Sequence, residues 1–141
     1  MAPSEGRTAT LSFSVTEDDT AVAVGSGHVP VLGTPRLIAW CEAATMAAIA
    51  PALDEQQTSV GAKIMVDHLA PTPVGATVEV TATVEAVDGR RVTFVVSARE
   101  APGSGHAADV PVAAGHGGSI MTGTIVRVVV DRERFIARLG R

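Results

Sequence analysis

Alternating apolar and polar residues mark most of this chain as β-strand. Residues 9–15 carry apolar side chains at every second position and threonine or serine between them. Such alternation predicts a strand with one buried face. Residues 78–86 alternate in the same way, and further strand patterns cover residues 60–70, 92–98 and about 120–130. A shorter segment, Thr20 to Val24, is predicted as a second extended piece.

One long apolar run breaks this pattern and predicts a helix. Between Leu37 and Leu53 every residue is apolar, small or uncharged except Glu42. Thr34 is a favoured N-cap residue, and Pro35 suits the first helical position because it loses no hydrogen bond there. Apolar or small residues surround nearly the whole circumference of this helix, so we expect it to be enclosed by a sheet.

The order of these elements predicts an α+β fold in one domain covering residues 1–141. A strand and a short extended piece precede the helix, and four antiparallel strands follow it, so the sheet is expected to curl around one central helix. Asp88-Gly89 predicts a tight hairpin turn. A short helix is expected near Arg132–Leu139. The glycine- and proline-containing segment 101–118 is predicted to be a flexible hairpin insertion. An open sheet edge predicts a homodimer or a tetramer.

Composition excludes several classes of protein. Hydrophobic residues make up 46% of the chain and charged residues 18%, which indicates a well-buried core. A net charge of −4 argues against a nucleic-acid partner, which requires a basic surface. The apolar run is shorter than a membrane span and contains Glu42, so no membrane insertion is expected. A single cysteine, Cys41, cannot form an internal disulfide, and the N-terminus has no signal-peptide pattern. These features predict a cytoplasmic protein.

Glu42 and His68 are the first candidates for chemistry. An unpaired carboxylate inside an apolar helix is costly, so Glu42 must protonate, find a partner or face a cleft. It is either a helix glutamate at a solvated gap, or a general base or nucleophile in an apolar pocket. The strand pattern places His68 on the same face as Ala62, Ile64 and Val66, beneath the helix. A lone core histidine is usually structural, but beside Glu42 it becomes a candidate acid or base.

Thr34 and Arg127 are the next candidates. Thr34 caps the helix in the simplest interpretation, and the same position places its hydroxyl beside free N–H groups that suit a carbonyl oxygen. Thr34 and Glu42 are about 12 Å apart along the helix axis, so a shared site would lie across a dimer interface, or the two residues would contact opposite ends of a reacting group. Arg127 lies between valines and by default faces solvent. Its alternative role is to hold a polar acyl group or a phosphate.

No metal site is predicted. His106, Asp109 and His116 lie in the predicted insertion, and a site there would be weak. The chain has no zinc-type cysteine and histidine spacing, no G-x-S-x-G elbow and no glycine-rich phosphate loop.

Four segments of the chain resemble the hotdog-fold thioesterases, and within them the family typified by fluoroacetyl-CoA thioesterase. These segments are T-P-R-L-I-A-W-C-E at 34–42, S-V-G-A-K-I-M-V-D-H-L-A-P-T-P-V-G at 59–75, V-D-G-R-R-V-T-F at 87–94 and G-T-I-V-R-V-V-V at 123–130. The resemblance spans roughly residues 32–135. It implies a helix wrapped by a sheet, a dimer and active sites at the subunit interface.

The resemblance also implies site residues. The catalytic threonine, glutamate and histidine of that family fall on Thr34, Glu42 and His68, a pocket glycine falls on Gly61, and an arginine near the acyl group falls on Arg127. Two features depart from the family. The segment before Thr34 is shorter and lacks aromatic residues, and Ile125 replaces a histidine, so selectivity for fluoroacetyl-CoA is not expected.

These observations predict an enzyme that hydrolyses a small or medium acyl thioester, presented by CoA or a carrier protein. Glu42 and His68 would activate either water or the Thr34 hydroxyl. No cofactor is expected beyond the CoA of the substrate. The alternative is a non-catalytic acyl-CoA or lipid-like ligand binder. A hotdog hydratase is weaker, because the chain has no G-D-x-N-P-x-H stretch.

Overall fold

Five antiparallel strands form one sheet in the computed structural model, which describes residues 3–102 and 118–140. The sheet order is β1-β3-β4-β5-β2. The strands are β1 (Thr8–Ser14), β2 (Gln57–His68), β3 (Thr77–Asp88), β4 (Arg91–Glu100) and β5 (Ser119–Asp131). The helices are α1 (Ala21–Val24), α2 (Thr34–Ile49) and α3 (Arg132–Leu139), with 3-10 turns at Glu17–Asp19 and Ala50–Ala52. The predicted α+β arrangement of one antiparallel sheet and one long helix is confirmed.

The predicted alternation holds on the central strands except where bulges interrupt it. Val80 pairs with Ala98, and Val84 pairs with Phe94; all four side chains lie in the core. A bulge between Val84 and Ala86 then shifts the register by one residue. Ala86, predicted to be buried, is consequently exposed, and Val87 packs against the core in its place. A one-residue slip moves every following side chain to the opposite face.

Helix α2 is buried along one stripe, which corrects the prediction that it is enclosed all round. The buried residues recur at helical spacing and are Leu37, Trp40, Cys41, Ala44, Thr45, Ala48 and Ile49. Stacking of the Trp40 ring on Phe13 of β1, with ring centroids 4.6 Å apart, fixes the helix against the sheet. The opposite face, including Ala39 and the 45% exposed Met46, remains open in one chain. An apolar helix face left open in this way fits a second covering surface.

Strand β2 forms one edge of the sheet and is poorly covered. Its residues from Gly61 to Met65 are all exposed, including Ile64 at 39% and Met65 at 59%. An exposed apolar edge strand offers unpaired backbone groups to another strand.

The structure corrects one local prediction and confirms two others. The prediction of an extended piece at Thr20 to Val24 is wrong. Residues 21–24 form the single turn α1, because the Thr20 hydroxyl accepts the Ala23 N–H and caps this turn. Most of the predicted insertion, residues 103–117, lies outside the described residues. The hairpin turn after Asp88 and the C-terminal helix are confirmed. Among the described residues, no helix is long and apolar enough to cross a membrane.

Candidate active site

Thr34 and His68 meet at the N-terminus of α2. The distance between Thr34 Oγ1 and His68 Nδ1 is 2.7 Å. Thr34 is the first residue of the helix, and His68 is the last residue of β2. The N-cap is Gly33, with no capping side chain, so the expectation that Thr34 caps the helix is wrong. Its hydroxyl is committed to the imidazole instead.

The surroundings of His68 favour its neutral form. Burial lowers the pKa of His68 below its usual 6.5, and a hydrogen bond with the Ala70 backbone only partly opposes this. Nε2 is buried, and no group among the described residues satisfies strict hydrogen-bond geometry with it. A neutral imidazole can accept a proton from a hydroxyl. Thr34 and His68 face a cavity of about 260 Å³ whose other walls include Leu32, Leu69 and Pro71.

Glu42 lies in a different cluster, with Arg127 and Ser59. Arg127 Nη1 donates to Glu42 Oε2 over 3.1 Å. The same guanidinium donates from Nε to Ser59 Oγ over 2.8 Å and from Nη2 to the Ser59 carbonyl over 2.9 Å. Burial lowers the pKa of Arg127, and the adjacent Glu42 carboxylate opposes that decrease. Three charge-assisted bonds therefore fix the arginine, which in turn fixes one carboxylate oxygen.

Arg127 is buried, so the default prediction that it faces solvent is wrong. Its exposure is 5%, because it shares the inner face of the sheet with the core valines and the buried Ser59. The Glu42 side chain is 30% exposed and borders a cavity of about 290 Å³. The sequence predicted that this carboxylate would be protonated, find a partner or face a cleft. In the structure it has a partner, Arg127, and it also borders a cleft.

Gly61 makes room for the carboxylate of Glu42. A Cβ added at Gly61 would lie 2.6 Å from Glu42 Oε2. Gly61 pairs with Arg127 and faces inward because a bulge between Gly61 and Lys63 shifts the register of β2. Ala62, predicted on the helix-facing side, is the extra residue of this bulge and is exposed. Beyond the bulge, His68 pairs with the fully buried Met121, so its predicted side of the strand is confirmed.

The candidate residues therefore form two separate groups, which we call half-sites. The first comprises Thr34 and His68, and the second comprises Glu42, Arg127, Ser59 and Gly61. Gly61 and His68 are seven positions apart on β2, or about 20 Å. Within the described ranges no hydrogen bond joins Glu42 to Thr34 or His68.

Two residues outside the predicted site, Ser59 and Cys41, lie next to Glu42 or its partner Arg127. Ser59 was missed because the period-two pattern that placed Ala62 and Ile64 inward placed Ser59 outward, and the bulge after Gly61 reverses this. Cys41 is next to Glu42 in sequence, but burial and the Glu42 charge raise the pKa of its thiol to about 12, which makes it a poor nucleophile. Within the part of the chain that is described, no three metal-ligating side chains cluster. His106, Asp109 and His116 lie outside that part.

Comparisons with known proteins identify the family that this chain resembles. The family model for fluoroacetyl-CoA-specific thioesterase matches residues 15–133. The fluoroacetyl-CoA thioesterase of Streptantibioticus cattleyicolor is 34% identical over 109 residues, covering 77% of this chain and 68% of that protein.

Solved structures of thioesterases are also similar to this chain over most of its length. A variant of the fluoroacetyl-CoA-specific thioesterase in complex with fluoroacetate and CoA is 30% identical with a TM-score of 0.78, covering 94% of this chain and 98% of that chain. A thioesterase superfamily member from Thermus thermophilus is 26% identical with a TM-score of 0.79, covering 99% and 92%.

Proposed function

The chain belongs to the fluoroacetyl-CoA-specific thioesterase family and is an acyl-CoA thioester hydrolase; we propose that Thr34, His68 and Glu42 carry out the hydrolysis of a small or medium acyl-CoA. The observation that carries this proposal is the 2.7 Å hydrogen bond between the Thr34 hydroxyl and the His68 imidazole at the helix N-terminus. Family membership favours hydrolysis over the alternative of a non-catalytic binder.

The chemistry requires an activated oxygen and a polarised carbonyl. With the ring proton on Nε2, His68 Nδ1 takes the hydroxyl proton as Thr34 Oγ attacks the thioester carbon. The C–S bond breaks, CoA leaves as the thiolate, and that thiolate takes the proton from His68. Water, deprotonated by Glu42 or His68, then attacks the threonine ester, which releases the carboxylic acid and restores Thr34. In the direct route the same bases activate water on the thioester itself.

The start of α2 supplies donors for the developing oxyanion. The first N–H groups of a helix have no intrahelical acceptor, and they carry the positive end of the helix dipole. Pro35 has no N–H, and the Gly33 N–H is bonded to the Asp19 carbonyl. The amides of Thr34 and Arg36 therefore remain to polarise the substrate carbonyl beside the Thr34 hydroxyl.

A homodimer would unite the two half-sites. We consider β2 pairing antiparallel with its own copy, centred on Met65, within the exposed part of the edge strand. Val66 then lies opposite Ile64 of the partner subunit, and Asp67 lies opposite the partner's Lys63. This register joins apolar residues to apolar residues and opposite charges to each other, as stable cross-strand pairs require. Inward-facing side chains also meet inward-facing side chains.

The proposed register also determines which partner residues would lie beside His68. In this register it lies opposite the bulge at Gly61–Ala62 of the partner subunit, and so beside the partner's Glu42. Each of two equivalent sites would contain Thr34 and His68 of one protomer and a carboxylate from the other, because a two-fold interface is self-complementary. Arg127, which bonds to both Ser59 and Glu42, would hold that carboxylate in place.

The acyl group is not expected to be restricted to fluoroacetate. The segment before Thr34 contains no aromatic residue between Gly25 and Gly33, and Ile125 is a fully buried apolar side chain on the inner face. An apolar pocket of this kind accepts short acyl chains without a specific polar contact to fluorine. A cytoplasmic location remains part of this proposal, since the single cysteine, Cys41, is a free thiol.

The proposal is tested by thiol release from a panel of acyl-CoA thioesters with short to medium chains. Turnover of at least one of them, lost on Thr34→Ala or His68→Ala substitution, is expected. Binding of acyl-CoA measured by calorimetry without any thiol release would instead identify a non-catalytic binder.

A further inference from the structure

Basic residues are concentrated in one region of the fold of this acidic protein. Its net charge is −4, yet five of its eleven lysines and arginines are in the β3–β4 turn, at the first residue of β4 and in α3. They are Arg90, Arg91, Arg132, Arg134 and Arg138. Such a concentration creates a local positive field that the overall composition conceals.

Three of these arginines line one cavity. A depression of about 410 Å³ lies between the β3–β4 turn, the end of β5 and α3, and it includes Arg90, Arg134 and Arg138. Within residues 3–102 and 118–140, the side chains of these three arginines have no ion-pair partner. We call this group the arginine cradle.

The two carboxylates that line the arginine cradle, Asp54 and Asp131, each accept a backbone hydrogen bond. Asp131 Oδ1 accepts the Arg134 N–H at the start of α3 over 3.0 Å. Asp54 Oδ1 accepts the Gln56 N–H over 2.9 Å. Both reduce the positive field, but neither pairs with a guanidinium. The cradle therefore presents three donors suited to an anion with several oxygens.

A line of cavities along α2 and β2, which we call the groove, leads from the arginine cradle towards the half-site around Glu42. A second cavity, of about 220 Å³, shares Asp54 and Gln57 with the cradle and extends along α2 and β2 to Ser59. The cavity beside Glu42 begins two residues further on, at Gly61. Polar residues line the cradle end, and apolar residues of α2 line the middle.

The length of this groove suits one ligand. From Gly61 to Gln57, β2 rises about 13 Å, and the cradle lies just beyond. The pantetheine arm of CoA joins its sulfur to its first phosphorus through thirteen bonds, the equivalent of about four extended residues or roughly 15 Å. A thioester at Glu42 would therefore bring the phosphates of CoA to the arginines.

We propose that Arg90, Arg134 and Arg138 bind the 3′-phospho-ADP portion of CoA, with the pantetheine arm in the groove between α2 and β2. This inference rests on the proposed function and assigns named residues to the nucleotide portion of CoA. Carrier proteins bear the same arm but lack the 3′-phospho-ADP.

The test compares the same acyl group on CoA, on 3′-dephospho-CoA and on pantetheine. In the triple variant Arg90→Gln, Arg134→Gln, Arg138→Gln, KM for acyl-CoA should rise about tenfold or more, since several charge-assisted bonds are lost. The value of kcat should stay within about twofold, because these residues lie far from the reacting carbon. KM for acyl-pantetheine should not change, and the dephospho substrate should be affected to an intermediate degree.

A matched control uses the neighbouring arginines that do not line the cavity. The double variant Arg91→Gln, Arg132→Gln carries similar charge changes on the same turn and helix, and it should leave KM for acyl-CoA within about twofold of the wild-type value. Added salt should reduce the wild-type preference for acyl-CoA over acyl-pantetheine.

Three results would overturn the inference. They are an unchanged KM for acyl-CoA in the triple variant, an equal rise for acyl-pantetheine, or a defect confined to an acyl carrier-protein substrate. Calorimetry with CoA alone tests the cradle independently of turnover: the triple variant should bind CoA at least about tenfold more weakly. If wild-type protein binds CoA but releases thiol from none of the substrates, the proposed function fails while the cradle stands.

Discussion

The two half-sites differ in how firmly their groups are fixed. Thr34 and His68 share one hydrogen bond at an exposed helix end, between two side chains from different elements. Glu42 is held by Arg127, which itself makes two bonds to Ser59 and is 5% exposed. The first arrangement suits groups that exchange protons and bonds during turnover. The second suits a carboxylate that must keep one position throughout.

The largest expected effect comes from removing charge at the firmly held half-site. Glu42→Gln keeps the size of the side chain and an oxygen acceptor for Arg127, but it removes the base. We expect kcat to fall about 100-fold or more, the usual scale of acid–base assistance. Thiol release under saturating substrate measures this. A rate near wild type would mean that the carboxylate is only structural.

A smaller effect is expected from crowding the carboxylate without removing it. Gly61→Ala places a methyl group 2.6 Å from the present position of Glu42 Oε2, so the flexible end of that side chain must move. The chain should fold, and kcat should fall about tenfold, because small displacements of a catalytic group are costly.

Gly140→Ala is the control for this substitution, because the added Cβ would meet only an ordinary contact at 3.7 Å. Equal activity losses in both variants would show that the effect is not specific to Glu42.

Support from Ser59 should matter less to turnover than to stability. Ser59→Ala removes the acceptor of the buried Arg127 Nε, which should lower the free energy of unfolding by about 1.5–3 kcal/mol. The second bond, to the Ser59 carbonyl, persists, so kcat should fall only a few-fold. Chemical denaturation measures the stability change. Ser12→Ala, at an exposed position of β1, should cost almost nothing.

The smallest expected effect is a shift in the pH dependence of kcat/KM, and it depends on His68 in the half-site with Thr34. The proposed mechanism requires neutral His68, and burial lowers the pKa of this histidine below 6.5. As pH falls, the imidazole therefore stays neutral longer than an exposed histidine would, and the acidic limb of kcat/KM should be centred below pH 6.5. A limb centred above that value would contradict the lowered pKa.

The alternation of strand residues was enough to predict most of the fold. Residues 9–14, 78–86 and 120–130 lie in β1, β3 and β5, and residues 37–49 of the apolar run lie in α2. The bulges were not predicted, because an extra residue in a strand leaves no mark on a period-two pattern except a weakly informative glycine. Ala62 and Ala86 were misplaced for this reason.

The candidate site was predictable in its residues but not in its contacts. Thr34, Glu42 and His68 stood out from their apolar or structured surroundings. The pairing of Glu42 with Arg127 depends on residues 85 positions apart, and local patterns carry no information about such a contact. The default placement of Arg127 on the solvent face failed because a buried arginine is rare unless it is paired, and its partner was not identifiable from β5 alone.

The central claim is that each site draws Thr34 and His68 from one protomer and Glu42 from the other. Mixing Glu42→Gln chains with His68→Ala chains, by co-expression or by unfolding and refolding together, tests it most directly. Random pairing makes half of the dimers mixed, each with one intact site of two, so activity should recover to about a quarter of the wild-type value per chain. Each variant alone should remain below about 1% of wild type. If the mixture is no more active than the separate variants, the site lies within one chain and the account is wrong.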